Sequence, residues 1–214
     1  MKPRTIWLLV GLTLSAGYMD AVAFFGLGVF TANMTGNTVL LGGAIAARML
    51  GDVRLPGGIG IVVPLLSIAG FVAGALVAST AVRSETQRPP LRSAALLAFV
   101  VALFVAAAVL YRLPHPLMAA AVALLSVAMG VQSVVAVRAG VPGVSTTFVT
   151  GTLLSAVMYL EGANQPHPAA GRANAGIWAC YLLGAVAGTV ALYRLGSNAF
   201  WPPAAAVALS AFAL

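Results

Sequence analysis

The chain has 214 residues, of which 61% are hydrophobic and only 7% charged, with 11 Lys+Arg against 4 Asp+Glu and a net charge of +7. A soluble domain carries about 25% charged residues, because its surface must be wetted. An ordinary soluble enzyme, a disordered chain and a conventional nucleic-acid binder are therefore excluded, and an all-α polytopic membrane protein in contact with the lipid bilayer remains.

The first segment is the stretch Met1-Lys2-Pro3-Arg4 followed by the apolar run Ile6 to Ala16. It has the charge and apolar layout of a signal peptide. Because the residues just beyond it belong to a repeat, it reads instead as an uncleaved first span, Ile6–Phe24. A bilayer core about 30 Å thick needs roughly 20 apolar residues. Gly58–Val82, Ser93–Tyr111, Leu117–Val137 and Ala173–Tyr193 meet that length. Two further segments, Thr35–Met49 and Thr150–Leu160, are too short, and the first would be about 22 Å long as a helix. Each follows Gly-, Thr- and Asn-bearing sequence of poor helix propensity. Pro203–Leu214 is a last, short apolar run. The connections, such as Gly51–Pro56, Arg83–Arg92 and Glu161–Arg172, are too brief for a soluble domain.

An internal duplication organises these segments. Gly28–Gly36 lines up with Gly143–Gly151 at a shift of 115 residues. Gly17, Val22 and Ala23 match Gly130, Val135 and Ala136 at 113. Gly70–Gly74 matches Gly184–Gly188 at 114, and Pro89-Pro90 matches Pro202-Pro203 at 113. Four matches in one order at nearly one shift divide the chain into two similar four-segment halves, 1–112 and 113–214. The second copy ends about a dozen residues early, so the last helix spans the bilayer only partly.

If all four segments of a half cross, the halves are parallel; if the short segments do not cross, the halves are inverted. Lys2, Arg4, Arg83, Arg88, Arg92, Arg138 and Arg172 then share one face, against Arg48, Arg54, Arg112 and Arg194 on the other. The positive-inside rule favours this inverted arrangement, with a cytoplasmic N-terminus.

Non-helical chain at membrane depth survives only where protein or a watery cavity surrounds it. Gly28–Asn37 and Gly143–Thr152 have the character of such chain, and each leads into a short half-helix. Thr35 and Thr150 are good cap types, and Gly36 and Gly151 allow close approach to the first amides. Helix starts suit an anion, so Asn33, Thr35, Gly36, Asn37, Thr146, Thr147, Thr150 and Gly151 are candidate solute contacts, with Thr38, Ser145 and Thr152 beside them. They can equally satisfy only the backbone of the breaks. Asp20 is the sole carboxylate inside an expected span. An intramembrane carboxylate is costly and marks a functional candidate, here for proton or ion coupling. Gln132 lies at a similar depth in the second half and could pair with Asp20 or line the same cavity. Arg138, at a helix end, is expected to snorkel to the interface.

Gly70/Gly74 and Gly184/Gly188 permit close helix packing, within the chain or between two copies as a homodimer. Trp7 and Trp201 suit interfacial belts. Cys180 sits in an apolar run, and His115 and His167 lie in Pro-flanked loops. No Cys, His or carboxylate cluster has metal-ligand spacing, so no metal, cofactor or catalytic residue is expected.

The stretches Gly17–Val22, Gly28–Val39, Gly130–Gln132 and Thr146–Leu153, with their Asn-x-Thr-Gly-Asn motif at Asn33–Asn37, resemble the YoaK-like bacterial inner-membrane family of unknown function. The resemblance implies a multi-pass protein of that membrane and supplies no substrate. The early C-terminus departs from the family, whose members usually complete the last helix. The break-then-half-helix pattern is also similar in architecture to uracil and sulfate permeases. The reading reached is a small secondary transporter or channel for a small solute, of the anionic kind that helix starts suit. The alternative is a structural or regulatory membrane subunit without transport. A membrane enzyme is disfavoured by the lack of His, Cys or paired carboxylates in the apolar zone.

Overall fold

A computed structural model describes residues 3–51, 53–54, 56–82, 90–113, 115, 117–139, 149–161 and 168–212. They form eight α-helices: α1 (Pro3–Leu27), α2 (Met34–Met49), α3 (Val62–Ala81), α4 (Pro90–Tyr111), α5 (Met118–Arg138), α6 (Val149–Leu160), α7 (Pro168–Leu195) and α8 (Pro202–Ala211). Single 3-10 turns at Pro56–Gly58 and Gly196–Phe200 precede α3 and α8. In hydrocarbon the backbone must satisfy itself, and helices rich in Ala, Leu and Val do so. Five of them, α1, α3, α4, α5 and α7, are long and apolar enough to cross a membrane. The short segments α2 and α6 are helices of 16 and 12 residues.

α1 and α5 are the innermost spans. α1 packs against α7, α8 and α5, and α5 packs against α3, α4 and α1. α2 lies on α3, α6 lies on α7, and α4 meets α8. Leu12, Met19, Leu97, Phe104, Leu125, Met129 and Phe200 are among the fully buried side chains between them. The Tyr111 and Phe200 rings, 4.5 Å apart, bring the C-terminal ends of α4 and α7 to one side.

Lipid tails are as apolar as leucine, so close approach of small residues holds such helices together. Two glycine seams do this. In the first, Gly184 lies against the Leu14 carbonyl, Gly188 against that of Tyr18, and Gly17 against that of Tyr181. In the second, Gly70 lies against the Ala123 carbonyl, Gly74 against that of Val127, and Gly130 against that of Phe71. These contacts make α1 parallel to α7 and α3 parallel to α5. They also correct the expectation of a homodimer through these glycines: the faces are covered within the chain, leaving them no room for a second copy.

Hydrogen bonds set the direction of α5 relative to α1. Gln132 Nε2 donates to the Leu12 carbonyl at 2.9 Å. Six residues earlier on α5, Ser126 Oγ is 2.8 Å from Ser67 Oγ, which donates to the Phe30 carbonyl. The next residue, Thr31, is bonded to Asp20. Moving from 126 to 132 on α5 therefore moves from the level of 20 to that of 12 on α1, so the two helices run antiparallel. α3 is antiparallel to α1 by the same chain of contacts.

Candidate functional site at the first helix break

α1 ends at Leu27 because Gly28 takes φ 77°, a left-handed conformation natural to glycine. The chain then turns back along α1. Residues 28–33 are not helical, yet Val29, Thr31 and Ala32 are buried. Asp20, seven residues before the end of α1 and so about 10 Å inside it, pins this segment. Its Oδ1 accepts from the backbone N–H of Thr31 and of Ala32, both at 2.7 Å, and from Thr31 Oγ1 at 3.2 Å. Its Oδ2 accepts the Tyr181 hydroxyl at 2.5 Å, from the middle of α7. Asp20 itself is buried.

The partners of Asp20 differ from those expected. Thr31 and Ala32 supply the amides, and Gln132, which could have paired with Asp20, does not reach the carboxylate. Gln132 is bonded to Leu12, eight residues or about 12 Å down α1. Tyr181 was not among the sequence candidates. The signal that could have found it is that a buried carboxylate needs donors, and Tyr181 carries one near the middle of α7.

Asn37 organises the other side of the break. Its Oδ1 accepts from the Phe30 N–H at 2.9 Å, and its Nδ2 donates to the Phe30 carbonyl at 2.7 Å and to Ser67 Oγ at 2.8 Å. Since Ser67 donates to Phe30, Ser126 supplies the hydrogen shared by the two serines. A buried polar cluster thus links the break, α2, α3 and α5.

The start of α2 departs from the expectation of an open anion site. Asn33, not Thr35, is the N-cap, and its side chain accepts from the Gly36 N–H at 3.1 Å. The Met34 N–H donates to the Ala32 carbonyl. A side chain added at Gly36 would meet the Phe30 ring at 2.6 Å, so that approach is already covered. Phe30 in turn stacks on Phe24, with centroids 4.5 Å apart. Thr35 and Thr38 are exposed, and Thr38 bonds back to Met34.

In the second half, α6 begins at Val149, so Thr150 and Gly151 lie within its first turn, Thr150 exposed and Gly151 half-buried. Thr150 is therefore not the residue that precedes the helix as a cap. Thr152 is buried and donates to the Val149 carbonyl. Asn174 of α7 donates to Ser155 of α6 at 2.9 Å. Ser145, Thr146 and Thr147 lie outside the described residues. Among the described residues α2 and α6 do not pack on each other, so the two helix starts do not close on one point. Arg138 is exposed at the end of α5.

Three buried polar atoms have no partner among the described residues: Ser15 Oγ, Tyr18 Oη and Gln132 Oε1. Ser15 follows Leu12 by one turn of α1, so Ser15 and Gln132 share the zone where α1 crosses α5.

Residues 8–213 match the family described as "Protein of unknown function (DUF1275)". Among curated proteins the chain is similar to the UPF0700 transmembrane protein YoaK of Bacillus subtilis (strain 168), at 36% identity over 160 residues, covering 72% of this chain and 67% of that protein. No solved structure matches. With a match over nearly its whole length and a transmembrane relative, the chain belongs to the DUF1275 family of YoaK-like membrane proteins.

Proposed function

We propose that this protein is a small secondary transporter or channel of the bacterial inner membrane, built from two oppositely oriented halves, 1–112 and 113–214. The observation that carries this reading is the buried, non-helical segment 28–33, folded back beside α1 and followed by a short helix. Irregular backbone at membrane depth is tolerated where protein buries it or where it lines a watery path, and inverted transporter repeats build their sites from such breaks.

Several features support the two halves. Exchanging α1 with α5, α2 with α6, α3 with α7 and α4 with α8 carries each packed helix pair onto a packed pair, α1–α5 and α4–α8 onto themselves. α1 and α5, equivalent in the duplication, run antiparallel. The contact of Gly17 with Tyr181 is repeated by Gly130 with Phe71, and that of Gly184 with Leu14 by Gly74 with Val127. In space Gly74 thus takes the place of Gly184, one helical turn from the sequence alignment. On this reading α2 and α6 return to the face they left. The N-terminus is then cytoplasmic by the charge rule, and the first break opens toward the opposite face.

Features of the site support one class of solute over another. The paired amides at the start of α2 weaken the case for an anion there. Gln132 Oε1 and Ser15 Oγ, buried where α1 crosses α5, suit a small polar solute able to donate and accept hydrogen bonds. The test is uptake of small amides, alcohols, amino acids and anions into proteoliposomes, with and without a pH gradient. Accumulation of at least one class above protein-free vesicles is expected. Uptake of none would leave the structural or regulatory subunit as the reading to pursue.

A further inference from the structure

We propose that Asp20 is a proton-binding site whose ionised form latches the first break to α7 through Tyr181, and that protonation releases the break. The transporter reading gives the latch its purpose, but the latch itself is measurable without a solute.

Four hydrogen bonds converge on the Asp20 carboxylate. The Thr31 and Ala32 amides, the Thr31 hydroxyl and the Tyr181 hydroxyl all donate, and both carboxylate oxygens only accept. An ionised carboxylate satisfies all four with charge-assisted bonds. A proton arriving on Oδ2 becomes a fifth donor, facing the Tyr181 hydrogen. That hydroxyl must then rotate and accept, and its own hydrogen loses the carboxylate. Oδ1 is left as a neutral carbonyl shared among three donors, so the hold on residues 31–32 weakens while the Asn37 grip on Phe30 persists.

A proton is the natural neutralising partner because, among the described residues, the carboxylate is met by amides and hydroxyls and not by a basic side chain. α7 turns Tyr181 toward the carboxylate, with Cys180 beside it in sequence, and α1 adds Tyr18. Residues 28–33, all of α3, α5 as far as Val137, and α8 carry no charged or titratable side chain. α2 carries one, Arg48, in its last turn.

The duplication supplies an internal contrast. Phe71 stands where Tyr181 stands, and Ser133, 113 residues after Asp20, donates to the Met129 carbonyl of its own helix at 2.8 Å. Neither residue titrates, so among the described residues the latch has no counterpart at the equivalent positions of the second half.

Hydrogen exchange of the 28–33 segment in lipid nanodiscs, corrected for the intrinsic pH dependence of exchange, tests this directly. Wild-type amides should be protected at high pH and lose about tenfold or more of that protection as pH falls, the effect expected from losing one charge-assisted bond. A carboxylic C=O infrared band, absent from Asp20→Asn, should rise over the same pH range. Asp20→Asn should exchange quickly at every pH, with no step. Tyr181→Phe keeps the Oδ1 bonds, so its step should persist but move along the pH axis, which a purely structural role would not cause. Wild-type protection that does not change with pH, or a step that survives in Asp20→Asn, overturns the latch. A working latch in a protein that takes up no solute would count against the transporter reading alone.

Discussion

Asn37 closes both polar groups of Phe30: its amide oxygen takes the Phe30 N–H at 2.9 Å, and its nitrogen gives to the Phe30 carbonyl at 2.7 Å. A side chain thereby replaces the helical partners that a peptide at this depth would otherwise lack. With Asp20 holding Thr31 and Ala32, three consecutive residues outside any helix have their backbone N–H groups paired by side chains. Orphaned groups of this kind are costly in hydrocarbon, so these two residues make the break possible.

Asn37→Ala should therefore destabilise strongly. It strands the Phe30 N–H and removes one partner from both the Phe30 carbonyl and Ser67, a loss on the order of 2–4 kcal/mol. Thr38→Ala removes only an exposed bond to its own helix and should stay within about 0.5 kcal/mol. Thermal unfolding in one detergent compares them, and equal Tm values would show that the Asn37 bonds do not hold the break.

The glycine seams make a steric prediction. A methyl at Gly17 overlaps the Tyr181 carbonyl, and one at Gly130 overlaps the Phe71 carbonyl. Both atoms are backbone and cannot swing aside, so Gly17→Ala and Gly130→Ala should lower the yield of folded protein sharply. Gly42→Ala and Gly176→Ala meet nothing within 4 Å and should be neutral or slightly stabilising. Size-exclusion profiles of the four variants decide this, and a well-folded Gly17→Ala would contradict the packing of α1 on α7.

Gln132→Leu separates structure from solute contact. The change gives up one bond to Leu12 but also removes a buried oxygen without a partner, so stability should change by no more than about 1 kcal/mol. Uptake of the solute found by screening should fall at least tenfold. If uptake is retained at normal stability, the path does not pass Gln132.

The helices were legible in the sequence because the bilayer imposes a length. The expected spans at Gly58–Val82, Ser93–Tyr111 and Leu117–Val137 correspond to α3, α4 and α5 within a few residues. The short segments were legible too, from Gly, Asn and Thr placed before them, although Asn33 rather than Thr35 became the cap of α2. Both residue types cap well, and only the backbone at 33 decides between them. Asp20 stood out because a carboxylate in an apolar run is anomalous. Tyr181 and Ser67 did not, since an aromatic or a serine in a span is ordinary and their partners lie 161 residues away for Tyr181 and 30 to 59 for Ser67. G-x-x-x-G repeats at the helical period and aligns with itself, so the sequence alone cannot choose between registers one turn apart, whereas contacts such as Gly184 against Leu14 and Gly74 against Val127 can.

The orientation of the halves is tested most directly by single cysteines in a Cys180→Ser background, labelled from either side of sealed vesicles. Arg54, Arg112, Arg138 and Arg172 are exposed sites at the ends of α3, α4, α5 and α7. If α6 returns to its own face, Arg138→Cys and Arg172→Cys label from one side. Arg54→Cys and Arg112→Cys then label from the other. Labelling of Arg138→Cys and Arg172→Cys from opposite sides would mean that α6 crosses, and would contradict two inverted halves with re-entrant breaks.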